Sequence, residues 1–111
     1  MRVIRFLPAL ALIVLACKDP VQGITVDFVA EGTAFSPTER TISGANIIMI
    51  WGFRDGPHNV TFEDGAPASG DRSSGTFQRD FGPAAAGTYR FRCTIHSTDF
   101  ATGMVGRVIK P

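Results

Sequence analysis

The 111-residue sequence carries no internal repeat, no low-complexity tail and no sustained helical period, which sets aside repeat architectures and helical bundles. Cysteine is scarce. Cys17 and Cys93 are the only two, too few for the disulfide framework that a small exported domain could use. Histidine is as rare, present only as His58 and His96. Charge of one sign is missing as well, since 11 Lys and Arg face 10 Asp and Glu for a formal +1. Without a basic stripe there is no footprint for nucleic acid, and without an acidic run there is none for a highly charged partner.

What is present begins with "MRVIRFLPALALIVLACKDP". Arg2 and Arg5, an apolar run from Phe6 to Ala16, and small Ala16 before Cys17 have the layout of a secretory signal. The run falls short of the roughly 20 residues that a bilayer span requires. Val14-Leu15-Ala16-Cys17 resembles a bacterial lipobox, in which the cysteine is lipidated and heads the mature chain, although Leu15 stands where a small residue is more usual. The expected organisation is a signal peptide over 1–16, a lipid-anchored Cys17, a tether over 17–23 and one domain over 24–111. That places the protein in the periplasm or on an envelope membrane; the other reading is an ordinary secretion signal in which Cys17 is incidental. Losing Arg2 and Arg5 takes the charge to about −1. Acylation of Cys17 would leave Cys93 without a partner, whereas a Cys17–Cys93 bridge would tie a flexible end to the end of a strand. An unpaired thiol in an oxidising compartment calls for a reason such as a metal.

From Ile24 onward the pattern is of short strands. "ITVDFVA" puts Ile24, Val26, Phe28 and Ala30 on one face, and "RTISG" follows. "NIIMIWGF" is a continuous apolar run, expected either for a strand covered on both sides or for one edge of a sandwich core. "HNVTFE" alternates through Val60 and Phe62, and "TFQRDF" puts Phe77, Arg79 and Phe81 on one side. "GTYRFRC" sets Tyr89, Phe91 and Cys93 against Arg90 and Arg92, and "MVGRVIK" closes the chain. Gly, Pro and Asp punctuate the intervals, with Glu63 to Gly75 expected as the most mobile loop. About seven to eight short strands with such turns predict an all-β, Greek-key antiparallel β-sandwich.

Alternation points Cys93 inward at the last position before the chain turns, where it is either a small buried hydrophobe or a ligand at one end of the sandwich. His96, three residues on, does not decide between them. His58, after the Gly56-Pro57 turn, also sits at a sandwich end. With Met104 the chain then holds two imidazoles, a thiol and a thioether, the ligand set of a blue-copper site.

The sequence resembles the cupredoxins of the plastocyanin and azurin type over nearly the whole domain, Ile24 to Lys110. "AFSPTERTISGANIIMIWGFRDGPHNVTF" is similar to the family's first half, with its F-x-P element and its histidine followed by asparagine. "GTYRFRCTIH" and "GMVGRV" are similar to the second half, with strand-end cysteine, second histidine and methionine in order. The resemblance implies a single type 1 copper ion held by His58, Cys93 and His96, with Met104 as weak axial ligand. It implies that Asn59 supports the site, its N–H donating to the sulfur and its side chain tying two ligand loops, and that Gly103 and Gly106 allow close folding beneath the metal. His96 would be the solvent-edge ligand.

One departure is plain, because seven residues, Ser97 to Gly103, separate His96 from Met104 where the family's loop is usually shorter. Closure cost grows slowly with loop length, so Met104 can still return. Phe100 within the insertion either covers His96, joins a docking surface or folds onto the sandwich end. Phe35 and Trp51 would shield the metal or serve as plain core, and Met49 reads as core. Zinc suits the set less well, since a thioether contributes little to it. With both histidines used, no second copper site can be assembled, and an inward Cys93 is a poor nucleophile, so an enzyme is not expected. The function implied is a monomeric one-electron carrier between redox proteins; copper binding or delivery through the same site is the alternative.

Overall fold

The computed structural model describes residues 25–111. The expected signal, the tether and the lipidated Cys17 lie outside the described residues. Eight strands follow in order: β1 (Phe28–Glu31), β2 (Ala34–Ser36), β3 (Glu39–Thr41), β4 (Ile48–Phe53), β5 (Thr61–Phe62), β6 (Thr76–Asp80), β7 (Gly87–Arg92) and β8 (Val105–Lys110). They form two four-stranded sheets, β2-β1-β4-β6 and β3-β8-β7-β5. The all-β sandwich is as expected from the alternation.

Strand direction is where the expectation needs correcting. β1 pairs with β4 in parallel, and β3 with β8 in parallel, so both sheets are mixed rather than wholly antiparallel. Alternation tells which face a residue takes but carries no information on the direction of a neighbouring strand. The β1–β2 hairpin uses up one edge of β1, and the chain then crosses to the other sheet as β3 before β4 returns to β1's free edge. β2, three residues between turns, was too short to register in the pattern.

The pleat sets the core. Along β4, Met49, Trp51 and Phe53 are buried while Ile48 stays exposed, so the apolar run forms one sandwich face rather than a doubly covered strand. Phe91 of β7 is the hub, with edge contacts to Phe28 (4.9 Å), Phe35 (4.8 Å) and Trp51 (5.3 Å). Each such pair contributes about 0.5–1.5 kcal/mol beyond the area it buries. Phe35 and Trp51 therefore belong to the core, as does Met49. Arg79 sits on the inner row of β6 because its guanidinium lies over Phe62 (4.5 Å) and Phe81 (4.4 Å) and reaches Asp64. Its charge is thus paired while its stem covers apolar surface.

Candidate metal centre

Cys93 continues the inward row of β7 and is fully buried. Its N–H donates to the carbonyl of Met104 at 3.0 Å, extending the β7–β8 ladder one step past the Arg92–Val105 pair. Met104, also fully buried, joins the same core cluster as Cys93. The insertion therefore loops out and returns the chain to the thiol. A tight turn follows Cys93, closed by His96 N–H donating to the Cys93 carbonyl at 3.2 Å. It places His96 Nδ1 3.6 Å from Cys93 Sγ, with the imidazole at the surface.

His58 arrives from the other side. Its backbone pairs with Arg72 through two hydrogen bonds, 2.9 and 2.7 Å, and its ring is 1% exposed. Its centroid lies 5.3 Å from that of His96. Neither His58 nitrogen has a hydrogen-bond partner among the described residues. Leaving a buried polar group unpaired costs about 1–3 kcal/mol, so such an imidazole calls for a partner, either a water or a metal ion. The donor atoms of His58, Cys93 and His96 all lie within 4.8 Å of one another. A thiol, two imidazoles and a neighbouring methionine are a set that fits a soft, redox-active metal.

Asn59 holds the two sides together. Its side-chain amide donates to Thr94 Oγ1 (2.8 Å) and to Asp71 (3.0 Å), and its oxygen accepts from Thr94 N–H (3.1 Å) and Thr61 Oγ1 (3.0 Å). The Asn59 side chain thus ties the segment after His58 to the turn after Cys93. Among the hydrogen bonds of the described residues there is none from Asn59 N–H to the sulfur, whose partner is His96 Nδ1.

The glycines divide their labour. A Cβ on Gly103, at φ +83°, would stand 2.8 Å from the His96 carbonyl, so this glycine does serve close folding at the site. Gly106 faces the core instead, where a Cβ would come within 2.5 Å of the Phe91 ring. The Glu63 to Gly75 loop, expected as the most mobile, backs the centre: Arg72 pairs with His58, Asp71 bonds Asn59, and Ser69 bonds Val60 on both sides. Its Gly, Asp and Ser residues signal turns but not the partners those turns meet. Asp71 and Arg72 carry no signal of these roles in the sequence for that reason, and Thr94, on the turn after Cys93, carries none either. Phe100 is half-buried beneath the Arg92 guanidinium, 5.2 Å away, while His96 remains exposed.

The two four-stranded sheets form a cupredoxin-like β-sandwich, and one end of it carries this His-Cys-His cluster. The fold is similar to that of the sodium-dithionite-reduced auracyanin from the photosynthetic bacterium Roseiflexus castenholzii, known from a crystal structure. The TM-score is 0.52 and the identity 21%, over 76% of this chain and 94% of that one. No protein-family model and no curated protein matches the chain.

Proposed function

We propose that this chain binds one copper ion as a type 1 centre through His58, Cys93, His96 and Met104, and carries single electrons between redox proteins of the cell envelope. It acts as a monomeric carrier and not as an enzyme. The observation behind the reading is the buried His58 ring, with no partner for either nitrogen among the described residues, facing a thiol and a second imidazole within 4.8 Å. Copper held there would supply a one-electron couple between its cuprous and cupric forms.

The chain's own part is to keep the donors still. Cys93 is pinned to Met104 through the backbone, His58 to Arg72, and both ligand loops to Asn59. The core aromatics exclude water from the inner side, and His96 alone of the four proposed ligands is exposed. A donor or acceptor would approach there. Export and lipid anchoring at Cys17 rest on the lipobox-like sequence and complete the proposal.

The test is to add Cu(II) to the purified protein and record its visible spectrum. An intense thiolate-to-copper band that disappears in Cys93→Ser supports the reading, and a colourless protein sinks it.

A further inference from the structure

A loop of seven residues between His96 and Met104 must still deliver both to one place. The insertion is knitted internally. Ser97, 7% exposed, has its hydroxyl within 2.5 Å of the Asp99 carbonyl and 2.6 Å of the Thr102 carbonyl. Asp99 Oδ1 accepts from the N–H groups of Ala101 and Thr102, both at 2.8 Å. These bonds make the loop a unit without fastening it to the sandwich.

Arg92 does the fastening. The pleat of β7 sends its side chain to the outer face of the sheet, one residue before Cys93. Its Nη1 donates to the carbonyl of Ser97, and its guanidinium lies over the Phe100 ring at 5.2 Å. Its Nε is buried with no partner among the described residues. A cation gives up hydration to hold that position, which is unfavourable unless the contacts it makes compensate. One side chain beside the thiol thus grips both the residue after His96 and the aromatic in the middle of the insertion.

We infer that Arg92 is a positioning residue for the metal centre, clamping Ser97 and Phe100 so that the enlarged loop holds His96 and Met104 at a fixed separation. The spectroscopic half of the claim rests on the copper reading above; the mechanical half does not. Lysine is an incomplete substitute, because an ammonium can reach the Ser97 carbonyl but has no planar face for Phe100. Arg90, on the same face, hydrogen-bonds Glu63 instead. Arg90 also feels the Asp99 charge but makes neither clamp contact, so Arg90→Gln removes a charge near the loop and leaves both contacts in place.

The experiment compares Arg92→Met, Arg92→Lys and Arg90→Gln by two measurements. Amide hydrogen exchange at His96, Ala101 and Thr102 is followed in the metal-free protein, and the visible and electron paramagnetic resonance spectra are recorded after adding Cu(II). Arg92→Met is expected to speed exchange about tenfold or more at these amides. It should also shift the copper band ratio and hyperfine splitting. Arg92→Lys falls between, and Arg90→Gln matches the wild type. Unchanged exchange in Arg92→Met, unchanged spectra despite faster exchange, or an equal effect of Arg90→Gln overturns the inference. Should Arg92→Met fail to fold, Phe100→Ala removes the other half of the clamp and must move both readouts the same way; no change overturns the proposal. If copper leaves the wild type colourless, the function proposed above falls, and the exchange data then decide the clamp.

Discussion

Cys93 and Met104 share a backbone hydrogen bond, N–H to carbonyl, at 3.0 Å. The β7–β8 ladder, and not the loop, brings the thiol and the methionine together. With the ladder intact, Met104→Leu nearly conserves volume and is expected to destabilise by less than about 1.5 kcal/mol. Under the copper reading the colour persists and the reduction potential rises, since the axial ligand tunes it. Spectroelectrochemistry checks this, and an unchanged potential would mean the thioether does not reach the metal.

Asn59 is expected to matter for stability as well as for the site. Asn59→Ala leaves Thr94 N–H, Thr94 Oγ1 and Asp71 without their partner. The loss is about 2–3 kcal/mol, read from denaturant unfolding of the metal-free protein. A loss below half of that would show that water replaces the amide and that the tie is dispensable.

Two glycine substitutions should separate packing from positioning. Gly106→Ala drives a Cβ to 2.5 Å from Phe91 Cζ and 3.0 Å from the Thr38 carbonyl, so it costs about 1–3 kcal/mol by overpacking. Gly103→Ala strains a residue at φ +83° and presses on the His96 carbonyl at 2.8 Å. Its cost is of similar size, about 1–3 kcal/mol, but it should also shift the spectrum of the copper-loaded protein. Gly106→Ala should shift it far less.

The insertion should respond to acid through Asp99. The N–H groups of Ala101 and Thr102 hold its carboxyl below the ordinary 3.8, and the Arg92 guanidinium adds to the effect. A depressed folded value means that its stabilisation is complete above the unfolded value and is lost as pH falls through the folded one. The cations that face it are the guanidinium groups of Arg90 and Arg92. Exchange protection at Ala101 and Thr102, corrected for intrinsic chemistry, should stay level from about pH 7 to 5 and decline only below the ordinary carboxylate range. In Asp99→Asn the protection should be lower at neutral pH and should lack the decline below the carboxylate range.

Much of the molecule is legible before it folds. Period-two alternation in "GTYRFRC" aims Phe91 and Cys93 inward, and the same rule places Phe28, Ala30, Val60 and Phe62. It works because each strand has one buried face, so side-chain polarity and direction are coupled residue by residue. The order of His58, Cys93, His96 and Met104 is equally local, and it suffices to propose the donor set. Strand direction is different, because no residue in β1 or β3 records whether its neighbour runs parallel; that follows from which sheet edge is free when the chain returns. The partners of the Glu63 to Gly75 loop are likewise nonlocal, and turn-forming residues signal a reversal without naming the His58 or Asn59 that the reversal will meet. That the seven-residue loop returns the backbone of Met104 to Cys93 is decided by the β7–β8 ladder, and the grip of Arg92 on Ser97 and Phe100 arises only once the loop folds back over the outer face of that sheet.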